Sequence, residues 1–252
     1  ESHFQVAADA AGASAVALYD RRDPLALAPF PDDYFAVADA VQSSGIRLEM
    51  PAQPFEEEFQ AQAFEALFAQ TQGVDGWSRM AHVVLAFSHT LDPAAVPADE
   101  AASQDPFAPI ALIDIDPASP VFGDRIPYRI LLRSDEAPDG SFDHTAQLFP
   151  SIDLREHGRY AVVVTRRAFA NGEPGRPLGP SSFFASVLAP PGDGEAPEVV
   201  QTRDTIEPAL ATIAGLTEVP IPAEDVALAV QLTIRTRPGV EDSVVFNERA
   251  QA

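Results

Sequence analysis

Proline sets the first limit on this chain. Its 24 prolines are scattered along the whole length, and each one fixes φ and removes a backbone donor, so few stretches remain in which a long helix could run uninterrupted. What lies between them is mostly short runs of β-branched and aromatic residues bounded by turn residues, the texture of short strands. "MAHVVLAFSHTLD", Met80 to Asp92, stops at the turn signal Asp92-Pro93. "APIALIDID" (108–116), "DRIPYRILLR" (124–133) and "TAQLFPS" (145–151) repeat the pattern, "RYAVVVT" gives the strongest strand at Tyr160 to Thr165, and Pro222 to Gly239 reads as a turn and a closing strand. Two segments show helical spacing instead. Pro54 to Gly73 places Phe55, Phe59, Leu67 and Phe68 on one stripe, with Glu56 to Glu58 at the positive end of the dipole. Val199 to about Ala214 aligns Ile206, Leu210 and Ile213. Asp23 to Val37 is a Pro-punctuated extended segment, pinned to a core by Leu25, Leu27, Phe30 and Phe35. The expected fold is mainly β: an Ig-like antiparallel sandwich with two added helices and a long extended N-terminal segment.

At 252 residues and 46% apolar, the chain can bury this as one unit. Residues 1–79 are expected to pack across a sandwich formed by 80–236, with a helical insertion near 199–214. Residues 237–252 read as a linker toward a further domain. With 38 acidic residues against 16 basic, all of them Arg, the formal charge is −22. A field of that sign repels phosphate backbones and anionic lipid, so nucleic acid is excluded as a partner. No run approaches the roughly 18 to 20 apolar residues of a membrane span, which leaves a lipid anchor as the one route to membrane association. There is no Cys, so disulfides, thiolate metal sites and Cys nucleophiles are ruled out.

Motifs that carry chemistry are few. Ser88-His89-Asp92 has the residue types of a hydrolase site, but Ser88 and His89 are neighbours on an expected strand and should point to opposite faces. No G-x-S-x-G elbow occurs; "GASAV" (12–16) and "GPSSF" (179–183) lack the second Gly. No catalytic residue is therefore assigned. The five His have no zinc-ligand spacing. Carboxylates cluster at Asp32-Asp33, at Asp114 and Asp116, and at Asp135-Glu136 with Asp139 and Asp143. Asp114, Asp116, Asp139 and Asp143 have the oxygen chemistry for calcium, although solvated turns account for such clusters in so acidic a chain. The single Trp, Trp77 in "DGWS", either inserts into the core after an Asp75-Gly76 turn or stands exposed as a platform for polysaccharide or polymer. An adhesion module of that kind, and a carboxylate-pair enzyme of glycosidase type, are the rival classes.

The order of the pieces resembles a known family. "LAPFPDDYF", a helix, "DGWS" leading into "VVLAFSHTLDPAAV", then "RYAVVVTRRAFANGEPGRPLGPSSFF" and "IPAEDVALAVQLTIRT" look like the N-terminal region of bacterial extracellular lipases and esterases of the virulence-factor lipase type. The resemblance covers most of Leu25 to Thr236. Phe87 to Val96 and Tyr160 to Pro177 are also similar to bacterial Ig-like modules. Asp32 stands where the family usually shows Asn, and Trp77 where Phe is common. The family's catalytic residues have no matching positions here. The resemblance implies a non-catalytic accessory domain of a secreted, periplasmic or outer-surface protein, with a C-terminal α/β-hydrolase domain as its partner.

Overall fold

A computed structural model of the chain describes residues 12–23, 26–50, 74–137, 140–216 and 220–236. The helix expected at Pro54 to Gly73, Asp139 and the tail beyond residue 236 lie outside the described residues. Among the described residues the ten strands are β1 (Ala15–Leu18), β2 (Ala36–Ala38), β3 (Ile46–Leu48), β4 (Val83–Phe87), β5 (Ile110–Asp114), β6 (Tyr128–Glu136), β7 (Phe142–Pro150), β8 (Arg159–Thr165), β9 (Leu178–Pro180) and β10 (Val226–Thr233). The α-helices among the described residues are α1 (Glu100–Ser103), α2 (Ser182–Leu188) and α3 (Pro197–Ala214).

The fold is mainly β, a sandwich with added helices. One sheet runs β6-β7-β4-β1-β9, a second runs β10-β8-β5, and β2-β3 form a separate ribbon. All neighbours are antiparallel except β1 and β9, which are parallel. Inner-face residues of both sheets, among them Val83, Leu85, Phe87, Leu148, Leu112, Val162 and Leu228, join one buried core.

The three-stranded sheet is covered on both sides, which explains its composition. β5 and β10 are almost wholly buried, as are residues 160–165 of β8, so their sequences are nearly continuous apolar runs, broken in β10 by Gln231, with no alternating polar face. α3 packs against β10 and buries Val199, Thr202, Ile206, Ala209 and Ile213, one stripe at helical spacing. The β6-β7 hairpin does the reverse. Its strands alternate along much of their length and its tip is exposed.

α2 was not anticipated from the sequence, where "GPSSF" was weighed only as an elbow. Ser181 is its N-cap: the side chain accepts from Phe184 N–H at 3.1 Å and donates to Tyr19 C=O at 2.6 Å. Phe183, Phe184 and Val187 are buried, with Phe184 stacked on Tyr19 at 5.5 Å.

Candidate functional site

The described chain leaves the sandwich through Ile234, Arg235 and Thr236, and there two sequence motifs meet. Asp75-Gly76-Trp77 lies parallel beside these residues, with Trp77 N–H donating to Thr233 C=O at 2.8 Å and Arg235 N–H to Trp77 C=O at 2.9 Å. The approach is so close that only glycine fits at position 76. A Cβ there would stand 2.6 Å from Thr233 O and 2.9 Å from Arg235 N, and φ is +133°. Asp75 then accepts from Thr236 N–H (3.1 Å to Oδ1, 3.3 Å to Oδ2) and from the Thr236 hydroxyl. From the other side, His157 N–H donates to Ile234 C=O at 3.0 Å and Ile234 N–H to Gly158 C=O at 2.9 Å. His157 Nε2 lies 2.7 Å from Thr236 Oγ1. That hydroxyl has already given its one proton to Asp75, so Nε2–H is the donor here.

Gly76→Ala should lower stability by about 2 to 3 kcal/mol, because it combines overpacking against backbone with a disfavoured φ. Denaturant unfolding measures it, and a loss under about 0.5 kcal/mol would show that the 75–77 segment is not fixed against β10.

The second motif arrives through Trp77. Its side chain is only 4% exposed, meets Phe30 edge-on at 5.1 Å, and donates Nε1–H to Asp33 Oδ1 at 2.9 Å. Asp33 is fully buried and accepts three more hydrogen bonds: Thr233 N–H to Oδ1 at 2.9 Å, Thr233 Oγ1–H to Oδ2 at 2.7 Å, and Gln231 Nε2–H to Oδ2 at 3.2 Å. Burial pushes its pKa up to about 6, and the bonds from Thr233, Gln231 and Trp77 pull against that rise. One residue earlier, Asp32 faces the opposite way. Its Oδ2 takes the Tyr19 hydroxyl at 2.5 Å and the Arg21 guanidinium at 2.6 Å, both buried, and its Oδ1 caps Tyr34 N–H at 3.0 Å. The Asp32-Asp33 pair, expected as a solvated turn, is a buried tie between residues 19–21 and 231–233.

The other singled-out residues fall elsewhere. Trp77 is not a surface platform; its indole is enclosed and its donor is taken. Asp114 and Asp116, also expected on a solvated turn, are buried. Asp114 accepts from Ser119 Oγ at 2.8 Å and Asp116 N–H at 3.0 Å, and burial holds its pKa above the usual value. For Asp116 burial acts in the same sense, but the Ala118 N–H and the Arg155 guanidinium outweigh it and hold the pKa low. Asp143 sits across the hairpin from Asp135, on the other sheet from Asp114. Among the described residues no group of three or more His, Asp or Glu is placed to hold a metal.

Ser88 and His89 correct the expectation that they could not meet. β4 ends at Phe87, so the alternation of a strand no longer governs them, and Ser88 Oγ lies 3.0 Å from His89 Nδ1 while accepting from Val16 N–H at 2.9 Å. Asp92 is occupied as the cap of the turn at 93–95, where it accepts from Ala94 N–H at 2.8 Å. Nearby, Thr90 Oγ1, Ser134 Oγ and His144 Nδ1 form a triangle of 2.7, 2.8 and 2.9 Å. Burial and the neighbouring His89 lower the His144 pKa. Sequence reading missed this triangle because its members are up to 54 residues apart.

No family model matches the chain, and no curated protein does. Among solved structures, surface layer protein SbsC, domains 1–6, aligns at 17% identity over 44% of this chain and 14% of that one, with a TM-score of 0.19. The chain thus spans about a seventh of that protein, and the likeness carries no argument. What the geometry itself can do is mechanical. Three separated segments, 33, 75–77 and 157–158, hold residues 231–236 at the end of β10.

Proposed function

We propose that this is the N-terminal accessory domain of an exported bacterial lipase or esterase, acting on a following α/β-hydrolase domain by fixing where the connecting chain departs. The observation that supports this is the clamp on Thr233 to Thr236, where a buried carboxylate that takes four hydrogen bonds and a second carboxylate at Thr236 fix the path of the chain after β10. The segments that resemble the lipase N-terminal regions, Pro-Phe-Pro-Asp-Asp with Asp32 in place of the usual Asn and Asp-Gly-Trp-Ser with Trp77 in place of the common Phe, are the ones that build the clamp. The domain itself supplies no chemistry in this reading. The adhesion alternative rested on an exposed Trp77, and the indole is buried.

The test compares residues 1–252 with the whole product of the gene on short acyl esters. Hydrolysis is expected from the whole protein only, and Ser88→Ala in it should change kcat/KM by less than about twofold. Ester hydrolysis by 1–252 that disappears with Ser88→Ala would sink the proposal, as would a whole product without a nucleophile elbow.

A further inference from the structure

The two large sheets have four edges, and three are closed. β10 is bonded to 75–77 only at its end, through Thr233 and Arg235, and is buried along most of its length, β5 is covered by 124–126 through the Ile113 and Arg125 bridge, and β9 is three residues long, ends in Pro180 and is bonded to Ala168 at Leu178. β6 is different. Tyr128 pairs with Pro150, and Ser151 N–H donates to Pro127 C=O around that pair, which is the pattern of a non-hydrogen-bonded antiparallel pair. The backbone groups of the even residues of β6 therefore point away from β7. At Tyr128 the outward N–H is satisfied by Ser103 Oγ of α1 at 3.1 Å. At Ile130, Leu132 and Ser134, no described residue bonds the outward N–H or C=O. An uncovered edge of this length is a template for another strand.

We infer that β6 pairs with β6 of a second copy of this chain, antiparallel about a two-fold axis at Leu132. The charges select the register. Because the even residues bond outward, even must face even. Centring on Leu131 sets Arg129 opposite the second copy's Arg133, and centring on Arg133 sets the two Arg133 opposite each other. Centring on Ser134 keeps Arg133 opposite Asp135 but gathers Asp135, Glu136 and Asp143 of both copies around the axis. Centring on Leu132 puts Arg129 opposite Asp135 twice and separates the acidic hairpin tips; within one chain Arg129 meets Glu100 and Asp135 meets Arg133, each at 2.8 Å, so the cross-copy pairs join these exposed ion pairs into a network. It also pairs Ile130 with Ser134 and Leu132 with itself, supplying partners for all three unbonded positions. Leu131, 49% exposed, and Phe149, 39% exposed, lie on the outer face of the same hairpin, where a continued sheet would cover part of their surface.

The chain has no Cys, so Leu132→Cys gives a single thiol. Across a hydrogen-bonded antiparallel pair the Cα atoms stand about 5.5 Å apart, within the disulfide range. Leu131→Cys is the control, offset by two residues to about 8 Å. Mild oxidation should give a covalent dimer from Leu132→Cys and little from Leu131→Cys. Sedimentation of the 252-residue chain at about 0.15 M salt, where the Debye length of about 8 Å screens the net charge but not opposed pairs in contact, should show a concentration-dependent dimer. Arg129→Asp or Asp135→Arg alone should raise its dissociation constant by about tenfold, and the two together should return it to within about threefold of the starting value. A chain that stays monomeric to sub-millimolar concentration overturns the proposal. So does a dimer unaffected by the single reversals, one that the double exchange fails to restore, or equal cross-linking at 131 and 132. Circular dichroism of each variant separates loss of the dimer from loss of the fold.

Discussion

Asp33→Ala should lower the unfolding free energy at pH 7 by about 3 to 5 kcal/mol, because it leaves two buried N–H donors unpaired and opens a void, whereas Asp33→Asn should cost no more than about 1 kcal/mol. The two oxygens of Asp33 explain the difference. Oδ1 is held by Trp77 Nε1–H and Thr233 N–H, donors that have no acceptor lone pair and cannot turn away. Alanine leaves both buried and unpaired, and it opens a void beside the indole. Oδ2 is held by the Thr233 hydroxyl and the Gln231 amide, which can each reverse. Gln231 Oε1 is already buried without a partner. An asparagine therefore keeps its oxygen at the fixed donors and offers its NH2 to a turned hydroxyl or amide. If alanine and asparagine cost the same, the fixed donors are not what Asp33 serves.

The same asymmetry gives Asp33 a pH dependence opposite to that of a salt-bridged acid. Its folded pKa is about 6 against an ordinary 3.8, with burial as the main cause. Between these values the folded chain holds a proton that the unfolded chain releases, so this group's contribution falls as pH rises from about 4 to about 6 and is level above. A gap of about two pH units corresponds to about 3 kcal/mol. Asp33→Asn does not titrate there, and other acids cancel in the comparison. Wild type should thus gain up to about 3 kcal/mol relative to Asp33→Asn as pH is lowered from 7 to 4. A difference that stays flat, or moves the other way, would show that Asp33 titrates as an exposed carboxylate.

The sequence carried the strands better than it carried the site. The run around Val162 to Val164 reads as a strand because burial on both faces leaves it continuously apolar, and α3 reads as a helix because Ile206 and Ile213 share a stripe. The Leu-Asp-Pro exit of β4 is local chemistry, and Asp92 caps the turn as its type suggests. The buried carboxylates could not be read this way. Asp33 depends on donors 44 and about 200 residues away, and two adjacent acids between Pro and Tyr look like any solvated turn. Asp114 and Asp116 failed for the same reason: the local Asx-type bonds were foreseeable, their enclosure was not. Ser88 and His89 failed differently. The rule that neighbours on a strand face apart is sound, but it was applied one residue past the strand's end.

Arg21→Met should cost about 3 to 5 kcal/mol in denaturant unfolding, since it strips a buried carboxylate of its cation. The guanidinium does more than neutralise Asp32. Its Nη1 donates to Ala26 C=O and Leu27 C=O at 3.1 Å each, its Nη2 donates to Pro29 C=O at 2.6 Å, and its plane lies over the rings of Tyr19 and Phe35 at 4.7 Å. Arg21→Lys should recover little of the loss, because a single ammonium cannot reach several carbonyls and a carboxylate in that fork geometry. Adding Asp32→Asn to Arg21→Met should recover at least about 1 kcal/mol, because the neutral amide removes the unpaired charge. Its oxygen can still take Tyr34 N–H, and its NH2 can donate to a reversed Tyr19 hydroxyl. The double variant asks whether Arg21 and Asp32 act as one unit. A double variant no better than Arg21→Met would mean that the carbonyl contacts, and not the charge pair, carry the energy. Because Asp32 ties residues 19–21 to the turn and Asp33 ties the same turn to 231–233, the Arg21 and Asp33 series probe the two ends of one connection, which runs from the first strand to the point where the chain leaves the last.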